Sequence, residues 1–249
     1  GIVLGLKYSS EEIDYGTFLK KRILHIYPIY YLILIAGILL FLGRTHYGFG
    51  SRGDLSFLDI PLALTGTYAF LGRWGGPFIG TSWFLGIIMS LYLVFPWLVG
   101  WIEKKPYLTL FILFIVSVSS RYLLGKVSIL PLRSHDWFLL CRIFEFGLGI
   151  TLAKRLPEKF WDIFNVHKSV DHIITYLGEL SFPMFLVHWP IFHTLKHLRA
   201  YGVPAPVWLS IFMILSIETS IILLAIDKQI LSPYISRYLN KGNLQPING

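Results

Sequence analysis

Cations gather immediately before an apolar run in Phe18-Leu-Lys-Lys-Arg22-Ile-Leu-His25-Ile-Tyr27-Pro28. Arg22 and His25 stand three apart, which puts both on one face of a helix. A guanidinium takes phosphate through two parallel N–H donors, so this cluster has the chemistry to hold the phosphates of a cosubstrate such as coenzyme A. Charge that merely fixes membrane topology has the same composition, and the residues alone leave both readings open. Arg142 and Glu145, again three apart, fall inside an apolar segment. Unpaired charge is costly there, so they are expected to pair with each other or with polar partners, as a structural ion pair or as a substrate contact. Glu218 is a lone carboxylate near the middle of another apolar run, either a functional group or a protonated, hydrogen-bonded helix contact. His188 lies midway along a further run and is followed by Trp189-Pro190. It reads as an imidazole hydrogen-bonding between helices or as a participant in catalysis. His193 and His197 follow without a nearby carboxylate triad, and no metal site is read from them. Gly72-Arg-Trp-Gly-Gly-Pro77 lacks the Lys and Ser/Thr of a phosphate loop and reads as a turn that frames Trp83.

Only membrane helices can position these side chains. Of 249 residues, 55% are hydrophobic and 14% charged, with a mean hydropathy of +0.62, whereas about a quarter of a soluble domain is charged. The expected fold is all-α, a polytopic transmembrane helix bundle. At about 20 apolar residues per crossing, six spans are read at Ile23–Leu42, Ser82–Trp101, Tyr107–Leu124, Trp137–Leu152, Leu177–Leu195 and Val207–Ile226. A seventh apolar segment, Leu58–Leu71, is short and begins with Asp59 and Pro61. It is a tilted span, a re-entrant piece or an interfacial helix. The chain reads as one membrane-embedded domain over 1–249 without internal repeats, with a polar tail at 238–249. Tyr27, Tyr30, Trp97, Trp101, Tyr107 and Trp137 fit interfacial aromatic belts.

The net charge of +8 and pI of 9.5 do not point to nucleic acid, because the cations sit in short loops rather than along one face. Membrane lipids with anionic headgroups, or a phosphorylated cosubstrate, are the expected partners. With six crossings, thirteen cations collect on the side of Lys20, Lys104 and Lys154 and seven on the other. The positive-inside rule makes the thirteen-cation side cytoplasmic. If Leu58–Leu71 also crosses, the count becomes nine against eleven and the asymmetry vanishes. The single Cys141 excludes an intrachain disulfide framework. Gly1–Leu6 reads as the last turns of an apolar helix, from which a longer protein with further helices upstream is expected, and no signal peptide is visible.

Four motifs resemble acyltransferase family 3, the integral membrane O-acyltransferases. Arg22 leading into Ile26-Tyr27-Pro28 is similar to the family's Arg, two apolar residues, Arg, Ile-Tyr-Pro, with His25 in place of the second Arg. Gly80-Thr-Ser82-Trp83-Phe-Leu, followed by Leu91-Tyr92-Leu-Val-Phe95-Pro96, resembles the family's Trp-Ser/Phe-Leu span ending in Phe-Tyr-Leu-x-Phe-Pro, without the Glu that members often carry inside it. Arg142-Ile-Phe-Glu145-Phe-Gly147-Leu-Gly149 is similar to the family's Glu-Phe-x-x-Gly segment. Leu177-Gly-Glu-Leu-Ser181-Phe-Pro-Met-Phe-Leu186-Val-His188 resembles Leu-Gly-x-x-Ser-Tyr/Phe-x-x-Tyr/Phe-Leu-x-His. The four run in family order from Phe18 to His188.

The resemblance implies transfer of an acetyl or other acyl group from acyl-CoA, as cosubstrate, to a hydroxyl of a cell-surface carbohydrate or glycolipid, in a bacterial cytoplasmic membrane. On this basis Arg22 and His25 are expected at the cytoplasmic donor site and Trp83, Glu145 and His188 lining or bracing the cavity, with no bound cofactor or metal. The family's favoured base is a His in its first transmembrane helix, which no His here matches. That residue is expected upstream of Gly1, and this stretch alone is expected to be inactive. A transporter or exporter of a lipid-linked sugar, with Arg142, Glu145, His188 and Glu218 relaying protons, is the alternative from the intramembrane charges. A degenerate, non-catalytic fragment is the third reading.

Overall fold

The computed structural model describes residues 1–8, 13–46, 57–68, 76, 78–126, 138–157 and 168–241. Among these the chain forms nine α-helices, one π-helical turn and no strand. They are α1 (Ile2–Lys7), α2 (Tyr15–His46), α3 (Asp59–Thr65), α4 (Trp83–Lys104), α5 (Pro106–Lys126), α6 (Leu139–Arg155), α7 (Lys168–Ala200), α8 (Ala205–Ile226), the π turn Asp227–Leu231, and α9 (Ser232–Lys241). Trp137, most of the Gly72–Pro77 turn and the last eight residues of the expected tail lie outside the described residues. α9 carries the helix three residues past Tyr238.

Local chemistry sets the helix boundaries. The Asp14 carboxylate accepts the Thr17 backbone N–H at 3.2 Å and the Asp14 carbonyl takes the first helical bond from Phe18, the geometry of an N-cap. Between α4 and α5 only Lys105 intervenes. Pro106, which lacks an N–H, suits the first turn of the new helix. Thr109 Oγ1 donates back to the Trp101 carbonyl at 3.2 Å and closes this hairpin. Gly66, at φ +67°, ends α3 in the left-handed conformation, and a Cβ there would strike Leu85.

Among the described residues, four helical stretches are long and apolar enough to cross a membrane: Tyr15–Gly43, Trp83–Lys104, Pro106–Leu124 and Ala205–Ile235. Four of the six expected spans coincide with them, Ser82–Trp101 starting one residue early. α6, the counterpart of Trp137–Leu152, has 17 residues, about 25 Å at 1.5 Å per residue against a hydrocarbon core of about 30 Å. α7, which contains Leu177–Leu195, has 33 residues but is less apolar and is interrupted by Pro183 and Pro190. The seventh segment appears as α3, only seven residues long. Tyr68 Oη donates to the Asp59 carbonyl at 2.9 Å just beyond it, so the described part of Leu58–Leu71 is a short turn-and-helix unit rather than a span.

The chain divides into two compact units. The first comprises Gly1–Arg22, Leu58–Gly76 and Ser82–Lys168. Its interior is a cluster built on Phe18, Leu91, Phe95, Val99, Phe146 and Ile150, with Phe18 stacked on Phe95 at 5.3 Å. Here α1 lies against α6 through small residues. A Cβ on Gly1 would meet the Phe146 carbonyl, and one on Gly5 would come within 2.8 Å of Ala153. Gly1 and Gly5, facing Gly149 and Ala153, make a small-xxx-small contact of the kind that lets membrane helices approach closely.

The second unit comprises Ile23–Phe57, Pro77–Thr81 and Ser169–Gly249. Ile29, Tyr30, Ile33, Leu34, Leu186 and Trp208 are buried in it. Tyr30 is fully buried rather than in an interfacial belt, whereas Trp97, Trp101 and Tyr107 of the first unit are exposed as a belt requires. In α7, Pro190 removes the N–H that would reach the Leu186 carbonyl, and Thr81 Oγ1 donates to that carbonyl at 3.1 Å. Gly80 lets the Trp189 indole lie against the same short segment, since a Cβ would collide with the ring.

Candidate functional site

Arg22 ends the part of α2 that belongs to the first unit, and three rings surround its guanidinium. The Tyr8, Phe18 and Tyr92 centroids lie 5.7, 5.3 and 5.5 Å from the guanidinium carbon. Aromatic faces attract a cation and do so more strongly where water is displaced. One N–H donates to Tyr8 Oη at 3.2 Å, while the buried Nε–H has no acceptor among the described residues. The rings thus hold the guanidinium in place, and its N–H donors are the part that binds phosphate in a bidentate way. Lys20 and Lys21 precede it, both half-buried.

His25, exposed on the same helix, belongs to the second unit. Asp227, 5% exposed at the start of the π turn, interacts with it electrostatically, and Ser232 Oγ donates to the Asp227 carboxylate at 3.5 Å. Beside this, Lys228 Nζ pairs with Glu179 at 2.5 Å.

Glu145 was expected to pair with Arg142 or with another polar group, and its partner is Arg121 of α5, 2.5 Å away. The same guanidinium donates to the Cys141 carbonyl at 2.7 Å through Nη2 and at 3.2 Å through Nε. Ser117 Oγ donates to that carbonyl at 2.9 Å. This polar cluster lies within helices of the first unit, where a carboxylate without a cation would be costly. Both side chains remain about half exposed.

Trp83 opens α4, packs against the core of the first unit and sits edge-on to Phe84. Its neighbour Ser82 is 1% exposed, and its Oγ has no hydrogen-bond partner among the described residues. His188 is half-buried on α7, 5.4 Å from the Phe185 ring, and His193 lies 4.3 Å from Trp189. Glu218 is exposed on α8. Arg22 and Glu145 belong to the same unit yet have separate partners, so the structure shows two polar centres there rather than one. The sequence reading missed Tyr8 and Tyr92 as cage walls, Arg121 as the counterion and Asp227 beside His25.

Apolar helices of spanning length holding a caged arginine and an intramembrane ion pair define an integral membrane protein with polar centres set among its helices. The chain belongs to acyltransferase family 3: residues 1–166 match the family's acyltransferase domain. It is a membrane acyltransferase. The match includes Arg22, Trp83 and Glu145 and stops short of the Leu177–His188 motif. No curated protein and no solved structure matches the chain.

Proposed function

We propose that this chain takes an acetyl or other acyl group from acyl-CoA and delivers it to a hydroxyl of a cell-surface carbohydrate or glycoconjugate, as a multi-pass protein of the bacterial cytoplasmic membrane. The acceptor oxygen forms a bond to the thioester carbonyl carbon, its proton passes to a base, and the carbon–sulfur bond breaks with coenzyme A leaving as the protonated thiol. Arg22 and His25 serve the donor from the lysine-rich, cytoplasmic side, and Trp83, Glu145 and His188 line or brace the cavity. The base is not assigned to any residue of this sequence.

The caged Arg22 carries the reading. A cation used only to set topology needs no particular surroundings, whereas this one is flanked by three aromatic rings and has a buried Nε–H without an acceptor among the described residues. Labelled acyl-CoA supplied to membranes containing the protein as its gene encodes it tests the assignment. Arg22→Ala raises the KM for acyl-CoA about tenfold or more, equivalent to about 1.4 kcal/mol, and Arg22→Lys recovers part of the loss. Unchanged transfer with an unchanged dependence on acyl-CoA concentration removes Arg22 from the donor site. Solute flux driven by pH, without label on glycan, replaces the enzyme with a transporter.

A further inference from the structure

The second unit contains an apolar cavity of about 150 Å3 between α2, α7 and α8. Leu32, Ala36 and Leu40 line it from α2, Val187 from α7, and Thr219 and Leu223 from α8. Its position follows from helix periodicity. Leu223 and Thr219 stand four and eight residues before Asp227, on one face of α8, and Asp227 interacts with His25. From His25, Leu32 and Ala36 continue along one face of α2, with Leu32 about 10 Å and Leu40 about 22 Å further along the axis. The cavity therefore lies beyond the His25–Asp227 level, deeper in the span of α2.

We infer that this cavity seats the hydrocarbon chain of the acyl donor and sets the chain length the enzyme prefers. The inference rests on the proposed acyl-CoA reaction with His25 at the donor end. Acyl-CoA has phosphates at one end and an acyl chain at the other, separated by a long flexible arm. A polar entry followed by a dry pocket one to several helical turns deeper matches that order. Size then decides the occupant: an apolar cavity of 150 Å3 admits a benzene-sized hydrocarbon, hence a chain of about six carbons. Thr219 is the one hydroxyl-bearing residue in the lining, too little to hold a sugar or a headgroup.

A series of acyl-CoA donors from two to sixteen carbons, offered to membranes holding the complete protein, is the test. Relative kcat/KM peaks at about six carbons. Ala36→Phe, which fills the cavity, lowers the hexanoyl-to-acetyl ratio about tenfold or more, and Leu223→Ala, which enlarges it, moves the peak to longer chains. An acyl-CoA carrying a photoreactive group at the chain end labels the α8 peptide containing Thr219 and Leu223, and unlabelled hexanoyl-CoA competes. Turnover of acyl-CoA with a length profile untouched by either variant overturns the inference and leaves the acyltransferase reading standing. Labelling of the same peptide by a photoreactive phospholipid, with no competition from acyl-CoA, assigns the cavity to bilayer lipid and also overturns it. Failure to use acyl-CoA of any length removes both.

Discussion

The first unit gathers its rings around one phenylalanine, whereas the second borders an apolar cavity between three helices. Around Phe95, which is fully buried, the rings of Tyr8 just after α1, Phe18 of α2 and Phe146 of α6 close in edge-on or stacked contacts, and glycines let α1 touch α6. The second unit buries Tyr30 and Leu186 completely, yet it leaves an apolar space between three helices. Lipid tails are as apolar as leucine, so close packing and hydrogen bonds, rather than escape from water, drive helices together in a membrane. A dense region is therefore the stable one, and a cavity is tolerated where something useful occupies it.

Truncation on each side probes this contrast most strongly. Phe95→Ala is expected to destabilise the detergent-solubilised protein by about 3 kcal/mol, through lost contacts and the void left behind. Leu223→Ala, at a wall that already borders open space, should cost well under half of that. Equal losses in thermal or denaturant unfolding would show that the two interiors are packed alike.

A smaller effect is expected at the ion pair of the first unit. Arg121→Leu and Glu145→Gln, alone and combined, should give a coupling of about 1 kcal/mol, reduced from the value for a buried pair because both side chains are about half exposed. The same cycle with Arg142→Leu in place of Arg121→Leu should give less. A larger coupling to Arg142 would contradict the observed pairing.

The helix cap at the entrance to α2 has the smallest effect. Hydrogen bonding from Thr17 holds the Asp14 carboxyl below its ordinary pKa. Because the folded value is the lower one, the contribution is complete above the usual carboxylate pKa and disappears as pH falls through the depressed value. Asp14→Ala should flatten stability against pH in that acid range, and an unchanged acid limb would remove Asp14 from the cap.

The sequence and the structure agree where the signal is local and part where it is long-range. Twenty apolar residues in a row identify a helix from composition alone, so Ser82–Trp101 and Val207–Ile226 match α4 and α8 to within three residues. Leu58–Leu71 was ambiguous because its length lies between a strand-sized run and a span. Gly66 resolves it by taking a positive φ that ends the helix. Arg22 stood out through its lysine neighbours and the family motif, but Tyr8 and Tyr92 lie 14 and 70 positions away, and no spacing rule joins them to it. Glu145 drew attention to Arg142 through helical spacing, although the observed counterion comes from the preceding helix, 24 residues upstream. Empty space is harder still to read, since a cavity is defined by what three separate segments fail to fill.

The Thr81 hydroxyl that caps Leu186 has a consequence for how depth in the bilayer is reckoned. Where proline deletes a rung, the axis beyond it is set by whatever supplies the substitute donor, here a side chain more than a hundred residues earlier. Counting 1.5 Å per residue from one end of α7 is therefore dependable only up to that point. The level assigned to His188, Trp189 and the aromatic run after them depends on a contact that the helix's own residues do not encode.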